Sequence, residues 1–429
     1  MKEVKIGLLG LGNVGSGTYV ILNQNADKIS GFSNSRISVE KILVSDKKKK
    51  RDIAIPSSIL TESPEEILQN PEIDIVVELV GGIQNAYSYI KTALENKKHV
   101  VTANKAVIAT HGMELLDIAR KNQVLLLYEA SVAGGIPILT AMANPLCGNE
   151  FQEIVGIVNG TTNYILTQMS QNQMEYDTAL KQAQEKGFAE ADPTSDVEGE
   201  DAAYKLSILI LIAFGVYVDP KNIPREGITK IAKEDIEFAA QFDYSIKLLA
   251  GAKKSNGRLK YYVYPTLVPS WHPLASVSNE FNALFIKGDA VGELMFYGRG
   301  AGSLPTGSAV VGDILSIVKY IGTDLLEVSP PHAYTPQDNE LELTGESKSM
   351  FYVNFLVKDS PGVLGKVSTA FGKHGVSIQS VMQRSRGEDH VPLIYILHET
   401  KRKQLDDALK DISSYEFIKE IKSILRVLS

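Results

Sequence analysis

The chain has 429 residues, of which 44% are hydrophobic and 22% charged, and its formal net charge is −7. This composition is typical of a soluble globular protein and excludes a disordered or a membrane-embedded chain. The length predicts two or three domains. Two observations argue against a nucleic-acid partner: the net charge is negative, and the largest basic cluster, Lys47 to Arg51, is only five residues long.

Three features bear on where the protein works. The longest apolar stretch, Leu206 to Val218, is interrupted by Ser207 and Gly215 and falls short of the roughly 20 residues that cross a bilayer. The N-terminus leads into a strand pattern without the apolar segment of a signal peptide. A single cysteine, Cys147, excludes an internal disulfide and fits a reducing compartment. We therefore expect a cytoplasmic protein with no membrane partner.

Residues 1–143 alternate Val- and Ile-rich runs with segments of helical length, the first helix being predicted over roughly Ser16 to Asn25. Such a pattern predicts a parallel sheet covered on both faces. Right-handed crossovers then give a Rossmann-like, doubly wound α/β domain. The predicted strands are Val4 to Leu9, Ile37 to Val44, Ile73 to Leu79, His99 to Thr102 and Val124 to Tyr128.

A glycine-rich turn follows the first predicted strand and opens a helix with the spacing G-x-G-x-x-G. Gly10 permits the tight turn, Gly12 lets the backbone approach a pyrophosphate, and Gly15 lets helix and strand pack closely. The place of the motif within a βαβ pattern favours a dinucleotide site over a plain turn. The predicted cofactor contacts in this turn are Gly10, Gly12, Asn13, Val14 and Gly15.

The end of the second predicted strand bears on the choice between NAD and NADP. Val44 is followed by Ser45, which we place at the cofactor, and then by Asp46 and Lys47. An acid there suits the ribose 2′-hydroxyl of NAD, whereas basic residues suit the 2′-phosphate of NADP. Both are present, and the basic residues outnumber the single acid, which favours NADP.

The residue pattern of 144–329 differs from that of 1–143 and predicts an α+β domain, with strands at Leu259 to Leu267 and Leu284 to Phe285. An acid-rich segment, Gly187 to Tyr204, ends at Lys205, where the long apolar helix is predicted. Asp201 and Lys205 are spaced i, i+4 and share a helix face. Partial burial would lower the pKa of Lys205 towards the range of a general acid/base, which hydride transfer to or from an alcohol requires. A solvated acidic loop with an ion pair at a helix start is the alternative.

A second lysine is predicted at the cofactor edge of the sheet. Lys105 follows the strand that ends at Thr102, and ligands of open parallel sheets bind beyond the carboxyl ends of the strands. Both residues should therefore share a rim with the glycine turn, although a surface lysine is the alternative. The sequence has no H-E-x-x-H motif or paired cysteines, so it does not predict catalytic zinc.

Residues 350–429 follow a polar, proline-rich linker at residues 330–349. They show the order strand, helix, strand, strand, helix, strand, a ferredoxin-like βαββαβ module. In the second helix Leu405, Leu409 and Ile412 fall on one face, and Gly375 is the expected cap of the first helix. The predicted strands are Met350 to Val357, Val376 to Met382, Val391 to His398 and Ile418 to Leu428, and the predicted helices are Gly362 to His374 and Lys401 to Ile412.

Several of these motifs resemble the homoserine dehydrogenase family over roughly residues 1 to 330. The resemblance rests on Val101 to Lys105, Glu129 to Pro137, Gly156 to Leu166 and Ala183 to Lys205. It implies the interconversion of L-aspartate 4-semialdehyde and L-homoserine, with hydride passing to or from the nicotinamide.

The resemblance also implies roles for individual residues. Lys205 is the implied general acid/base, and Lys105 the implied contact to substrate and cofactor. Carboxylates suit the ammonium group of the amino acid. The residues assigned to the substrate are Glu190, Asp201 and Asp196, and those assigned to the cofactor pocket are Gly187 and Gly302. Ser45 is a departure, since relatives often carry arginine at its position, and this weakens the preference for NADP.

A monovalent cation, usually sodium, is held in this family largely by backbone carbonyls. The resemblance places that cation at Glu129, Val132, Gly134 and Ile136. Oxygen ligands suit a hard cation. A plain glycine turn is the alternative.

Residues 350–429 resemble an ACT domain, with Asp359 to Leu364 as its first loop and helix start. Such domains usually pair and bind amino acids at their interface. The implied effector is L-threonine, acting as a feedback inhibitor, which requires different affinities for two states of the enzyme. A structural dimerisation module is the alternative. We expect a homodimer or a homotetramer.

Two other functions remain as alternatives. A thiol-dependent semialdehyde dehydrogenase would need an activated thiolate, and Cys147 is the single candidate. A non-catalytic amino-acid sensor would have kept the dehydrogenase body without its activity. The presence of Lys105, Glu190, Asp201 and Lys205 argues against the sensor.

Overall fold

The structure, a computed structural model, describes residues 2–321, 340–341, 348–383 and 389–428. Apart from residues 340–341 and 348–349, the predicted linker at 330–349 lies outside the described residues. The described residues divide into two compact units: unit 1 lies within Met1–Phe151, Tyr204–Asn222 and Asn282–Asp338, and unit 2 within Gln152–Ala203, Ile223–Phe281 and Asn339–Ser429. The domain boundaries expected from the sequence stay predictions.

Helices and strands alternate over most of residues 2–143, but not in the rest of the described chain. Residues 2–143 contain β1 (Lys2–Leu9), α1 (Asn13–Gln24), α2 (Ala26–Ser33), β2 (Ser35–Leu43), β3 (Leu60–Thr61), α3 (Glu65–Leu68), β4 (Ile75–Glu78), α4 (Gln84–Glu95), β5 (His99–Thr102), α5 (Lys105–Lys121), β6 (Leu126–Leu127) and α6 (Ile138–Ala143). Residues 151–269 contain β7 (Phe151–Ile157), α7 (Gly160–Gln171), α8 (Tyr176–Glu185), α9 (Thr194–Val197), α10 (Glu200–Phe214), α11 (Lys233–Gln241), β8 (Tyr244–Ser255) and β9 (Arg258–Pro269). The remaining elements are β10 (Phe281–Gly288), β11 (Gly292–Arg299), α12 (Ser303–Tyr320), β12 (Glu340–Leu341), β13 (Lys348–Lys358), α13 (Val363–Lys373), β14 (Ile378–Gln383), β15 (His390–Lys401), α14 (Arg402–Ile412) and β16 (Ile418–Val427).

Unit 1 contains a parallel sheet with the strand order β3-β2-β1-β4-β5-β6. The order reverses between β1 and β4, the point at which doubly wound folds bind dinucleotides. The side chains of the central strands are buried because helices cover both faces. The predicted Rossmann-like fold is confirmed. The short strand β3 was not predicted, since two residues carry no readable period.

Helix α12 also belongs to unit 1. Val310, Val311, Ile314 and Ile317 are buried in the same hydrophobic core as Val4 and Ile6 of β1. The helix packs mainly on α1, although about 280 residues separate the two along the chain. Sequence alone did not predict this packing, because helical periodicity shows which face is apolar and not what covers it.

Helix α10 differs at both ends from the apolar helix predicted at Leu206 to Val218. It begins earlier, at Glu200, and ends at Phe214. The next residue, Gly215, has a φ of 67°, a left-handed conformation that ends a helix. No described helix is long and apolar enough to cross a membrane.

Unit 2 contains a mixed sheet with the order β7-β8-β9-β16-β13-β15-β14. Its C-terminal part, β13-α13-β14-β15-α14-β16, has the predicted βαββαβ order and its own core, to which Phe355, Phe371 and Leu405 belong. The predicted cap residue Gly375 has a φ of 70°. This module is continuous with the strands before it, since Arg426 and Val427 of β16 pair in parallel with Thr266 and Leu267 of β9.

Candidate functional site

The glycine turn of unit 1 has the conformation that its sequence predicts. Gly10 has a φ of 103°, and a Cβ there would lie 2.7 Å from the carbonyl oxygen of Leu79. A Cβ on Gly15 would overlap the carbonyl oxygen of Gly10. A Cβ on Gly12 would meet no atom within 4 Å. Packing therefore requires glycine at positions 10 and 15, whereas position 12 is open to a ligand.

A groove of about 530 Å³ lies at this turn, beyond the carboxyl ends of β1, β2 and β4. Its lining combines Gly10 and Gly12 with Ser45, after β2, and with Val80, after β4. This is the place where a doubly wound sheet binds a dinucleotide. The part of the lining that follows β4 was missed, since its sequence carries no motif beyond Gly81-Gly82.

Two basic residues reach the same groove from the loop after β2. Lys49 and Arg51 line it together with the acidic Glu62. The guanidinium of Arg51 donates to the carbonyl oxygens of Asp46 (2.7 Å) and Lys49 (2.8 Å), which orders the loop. The carboxylate of Asp46 accepts from the backbone N–H of Lys48 at 2.7 Å. The side chains of Lys49 and Arg51 thus border the groove, while the carboxylate of Asp46 is hydrogen-bonded within its own turn.

Lys105 is the first residue of α5, directly beyond the carboxyl end of β5. It is half-buried, and Asn104 caps the helix by accepting from the backbone N–H of Val107 at 3.2 Å. Thr102, the last residue of β5, is fully buried. Its hydroxyl donates to the carboxyl group of Glu78, which also lies at a strand end. Both predicted residues therefore stand at the rim that carries the glycine turn.

Burial raises the pKa of the Glu78 carboxyl from 4.5 to about 7, although the hydrogen bonds from Thr102 and from the Val80 backbone oppose this rise. Glu78 was not among the residues predicted from the sequence. The available signal was an acid that ends an otherwise apolar run, Ile75-Val76-Val77-Glu78, next to the rim of the sheet.

Gly302, at the start of α12, lies beside the glycine turn. It has a φ of 124°, and the hydroxyl of the next residue, Ser303, donates to the carbonyl oxygen of Asn13 at 2.7 Å. A Cβ on Gly17 would overlap the Ser303 carbonyl oxygen, so α1 and α12 approach backbone to backbone. The structure thus brings the predicted Gly302 to the cofactor turn across nearly 300 residues of sequence.

The segment predicted to hold a cation is buried in unit 1. Each oxygen of the Glu129 carboxylate accepts a backbone N–H, from Leu139 at 2.9 Å and from Thr140 at 2.6 Å. Ala133 and Gly134 both have positive φ, 54° and 45°, which kinks the chain. The N–H of Gly135 donates to the carbonyl oxygen of Arg299 at 3.0 Å, three residues before Gly302. Val132 and Ile136, the other two predicted positions, are buried.

In unit 2 the acid-rich segment is organised by Asn159, which precedes α7. The Asn159 amide donates to Asp196 at 2.7 Å and to Asp201 at 2.8 Å. The amide oxygen of Asn159 accepts from the N–H of Thr162 at 2.9 Å and caps the helix. Asn159 is only 4% exposed, and so is Asp201. The sequence signal for this residue was the helix-start pattern Asn159-Gly160-Thr161-Thr162.

The remaining predicted residues differ in burial. Glu190 and Gly187 are exposed, and Gly187 has a φ of 74°. Lys205 lies in the second turn of α10, one turn after Asp201, and is only 9% exposed. Cys147, on which the thiol-dependent alternative depends, is an exposed free cysteine.

Three family models match the chain. "Homoserine dehydrogenase, NAD binding domain" covers residues 10–129, "Homoserine dehydrogenase" residues 137–315, and "ACT domain" residues 351–417. Homoserine dehydrogenase of Bacillus subtilis is 40% identical over 100% of this chain and 99% of its own. That of Synechocystis is 43% identical over 99% of this chain and 100% of its own.

Solved structures agree with these sequence matches. A homoserine dehydrogenase from Thiobacillus denitrificans superposes with a TM-score of 0.94 at 36% identity, over 100% of this chain and 99% of that one. A hyperthermophilic archaeal homoserine dehydrogenase, solved in complex with NADPH, has a TM-score of 0.62 at 26% identity, over 77% of this chain and 99% of that one. These matches do not support the thiol-dependent enzyme or the non-catalytic sensor. The chain belongs to the homoserine dehydrogenase family and is a nicotinamide-dependent oxidoreductase with a C-terminal ACT domain.

Proposed function

We propose that the protein interconverts L-aspartate 4-semialdehyde and L-homoserine, with Lys205 as the general acid/base at the reacting oxygen. The observation that carries this proposal is the burial of a primary amine, Lys205, one helical turn after the buried Asp201. The nicotinamide supplies or accepts the hydride. The chain must supply or remove the hydroxyl proton, and an amine held largely away from water is suited to that task.

Carboxylates of unit 2 are proposed to bind the amino-acid part of the substrate. Asp196 and Asp201 share the amide of Asn159, which holds two carboxylates at one place. Negative charge of this kind complements the ammonium group that substrate and product both carry. The exposed Glu190 is assigned to the same task. Asn159 then acts as the orienting residue.

The cofactor is proposed to lie in the groove at the glycine turn. Gly12 leaves room for the pyrophosphate, and the N-terminus of α1 faces its charge. Lys105 is assigned to both cofactor and substrate. The other proposed cofactor contacts are Gly10, Asn13, Val14, Gly15, Ser45, Thr102, Gly187 and Gly302.

NADP is proposed as the preferred cofactor over NAD. Two basic side chains, Lys49 and Arg51, line the groove beyond β2, where the adenosine ribose of a dinucleotide binds. The carboxylate of Asp46, the candidate partner for the 2′-hydroxyl of NAD, instead accepts from its own turn. A guanidinium and an ammonium group suit a 2′-phosphate.

A monovalent cation, sodium by preference, is proposed at the kinked segment. The buried Glu129 carboxylate contributes negative charge there, although its two oxygens already accept backbone N–H groups. The proposed ligands are main-chain oxygens of Glu129, Val132, Gly134 and Ile136, which suit a hard ion. Those of Glu129 and Ile136 also accept backbone N–H groups, at 3.3 and 2.8 Å. The bound ion would stabilise the loop that packs against Arg299 to Gly302.

The ACT domain is proposed to bind L-threonine as a feedback inhibitor, in a homodimer or homotetramer. Truncation is a poor test of this proposal, because β16 pairs with β9 and removal of the module would expose that strand. Inhibition is better measured on the full chain, in steady-state assays with NAD and with NADP, each with and without threonine. Absence of any response to threonine would leave a structural role for the domain.

The catalytic proposal is tested by Lys205→Ala, with Lys181→Ala, an exposed lysine of α8, as the control. We expect at least a thousandfold loss of kcat for homoserine oxidation in the first variant and none in the second, because the proton acceptor is removed only in the first. Fluorescence titration with reduced cofactor should give the same affinity for all three proteins. A Lys205→Ala variant with more than about a tenth of the activity would disprove the assignment.

A further inference from the structure

Glu78 is a buried acid at the point where the cofactor groove meets the sheet. It ends β4, and it pairs with Leu9 of β1 on one side and with Thr102 of β5 on the other. The residue is fully buried. The next two residues, Leu79 and Val80, line the groove. Because the sheet order reverses between β1 and β4, Glu78 lies on the β4–β5 side, which faces the nicotinamide half of a bound dinucleotide.

Both oxygens of this carboxyl group make directed hydrogen bonds. One accepts from the backbone N–H of Val80 at 2.7 Å, and the other accepts from the hydroxyl of Thr102 at 2.5 Å. Burial of a carboxyl group costs free energy that an apolar residue at this strand position would avoid. The acid therefore has a task that shape and hydrophobicity do not provide.

The hydrogen bonds continue from Glu78 to the start of α5. The Thr102 hydroxyl also accepts from the backbone N–H of Asn104 at 3.0 Å. The Asn104 amide donates to the carbonyl oxygen of Gly82 at 2.7 Å, so it ties the loop after β5 back to the loop after β4. The same amide group caps α5 through the N–H of Val107. Lys105 directly follows Asn104 and lies between Asn104 and Val107 in the chain.

We propose that Glu78 is a positioning residue of the hydride-transfer site, which fixes Lys105 at the rim of the sheet through the hydrogen-bonded chain Glu78–Thr102–Asn104. This inference rests on the role proposed above for Lys105. Glu78 acts through its two oxygens: one is bonded to Val80 in the loop after β4, and the other to Thr102, which in turn is bonded to Asn104 in the loop after β5. Loss of either bond lets the start of α5 move, and a small displacement of a group that contacts the substrate slows the chemical step.

The test is a double-mutant cycle on the full chain with Glu78→Gln and Lys105→Ala. We expect Glu78→Gln to lower kcat about tenfold in the wild-type background and less than twofold in the Lys105→Ala background, because its effect passes through Lys105. Glu114→Gln, which alters an exposed acid of α5, the helix that begins at Lys105, should leave kcat unchanged in both backgrounds. A purely structural loss would instead lower the melting temperature and slow both backgrounds alike.

A second variant covers the case in which Glu78→Gln does not fold. Thr102→Val breaks the same bond while the carboxyl group stays, and we expect the same dependence on Lys105. Equal losses in both backgrounds, or a wild-type kcat in Glu78→Gln, would overturn the inference. Full activity of Lys105→Ala would overturn the role proposed for Lys105 as well, whereas an impaired Lys105→Ala beside an unimpaired Glu78→Gln would overturn only the inference.

Discussion

The parallel sheet of unit 1 and the C-terminal module of unit 2 both bury polar groups, but at different places. In the parallel sheet, Glu78 and Thr102 lie at the ends of neighbouring strands. In the module, Tyr352 and Asn354 lie within β13 and Ser423 within β16, away from any strand end. Strand ends of a parallel sheet form its ligand-binding rim, whereas mid-strand positions face another layer of the protein.

The mid-strand groups of the module have one common partner. Asp235 of α11, which is 1% exposed, accepts hydrogen bonds from Tyr352 (3.0 Å), Asn354 (3.0 Å) and Ser423 (2.6 Å). Burial of the Tyr352 phenol, and to a smaller extent the proximity of Asp235, raises the pKa of this phenol far above its usual range. Buried polar groups in this protein therefore lie at the strand ends of the sheet in one region and join two layers in the other.

The largest expected effect tests the joining role of Asp235. Asp235→Ala removes the acceptor of three side-chain donors of the module and of the backbone N–H of Ala232 (3.3 Å), and we expect the free energy of unfolding to fall by about 3 kcal/mol. The control is Asp407→Ala, an exposed acid of α14, which should change it by less than about 0.5 kcal/mol. Urea unfolding followed by circular dichroism measures both. A loss below about 1 kcal/mol for Asp235→Ala would mean that water satisfies these donors.

In the parallel sheet, the glycine turn allows the effects of packing and of ligand binding to be measured separately. Gly15→Ala forces a Cβ into the Gly10 carbonyl oxygen, and we expect a loss of about 2 kcal/mol in the free energy of unfolding. Gly12→Ala meets no atom, so stability should hold while the cofactor affinity falls at least tenfold. Thermal unfolding and fluorescence titration measure the two quantities. Unchanged cofactor affinity in Gly12→Ala would place the pyrophosphate elsewhere.

The pKa values of two groups of the parallel sheet are shifted in opposite directions. Burial raises the pKa of Glu78 from 4.5 to about 7 and lowers that of His99 from 6.5 to about 4. Between pH 4.5 and 7 the folded state keeps a proton on Glu78 that the unfolded chain releases, so stability falls as pH rises. Between pH 4 and 6.5 the unfolded chain holds a proton on His99 that the folded state lacks, so stability rises with pH.

The two terms oppose each other where their ranges overlap. Glu78→Gln removes the falling term, so its stability should rise with pH more steeply than that of the wild type between pH 4.5 and 6.5, by up to about 1.4 kcal/mol per pH unit. Glu95→Gln, at an exposed position of α4, should keep the wild-type slope. The measurement is the urea midpoint as a function of pH. Identical slopes for all three proteins would show that Glu78 is not buried in its protonated form.

The smallest effect is expected on the surface of the C-terminal module. Arg402 and Asp406 form an i, i+4 ion pair at 2.8 Å on α14, with side chains that are 34% and 52% exposed. Solvent and salt screen such a pair, so Asp406→Asn should cost less than about 0.5 kcal/mol. The same urea unfolding, repeated at high salt, should abolish the remaining difference. A cost near that of Asp235→Ala would remove the distinction between the joining contact and the surface.

Much of this protein was readable from its sequence. The glycine turn, the apolar strand runs and the βαββαβ order of the C-terminal module depend on local periodicity and on the conformational freedom of glycine, which act over a few residues. The motifs around Lys105 and Lys205 carried the family resemblance, which the comparisons confirm.

Tertiary structure decided the contacts between distant segments. The packing of α12 on α1, the bond from Ser303 to Asn13, and the pairing of β16 with β9 join residues that no local pattern relates. The sequence indicates that Glu78 ends an apolar strand. Its hydrogen bond to Thr102 of β5, on which its proposed role depends, is seen only in the tertiary structure. Periodicity states which side of an element is buried, whereas its partner depends on the path of the whole chain.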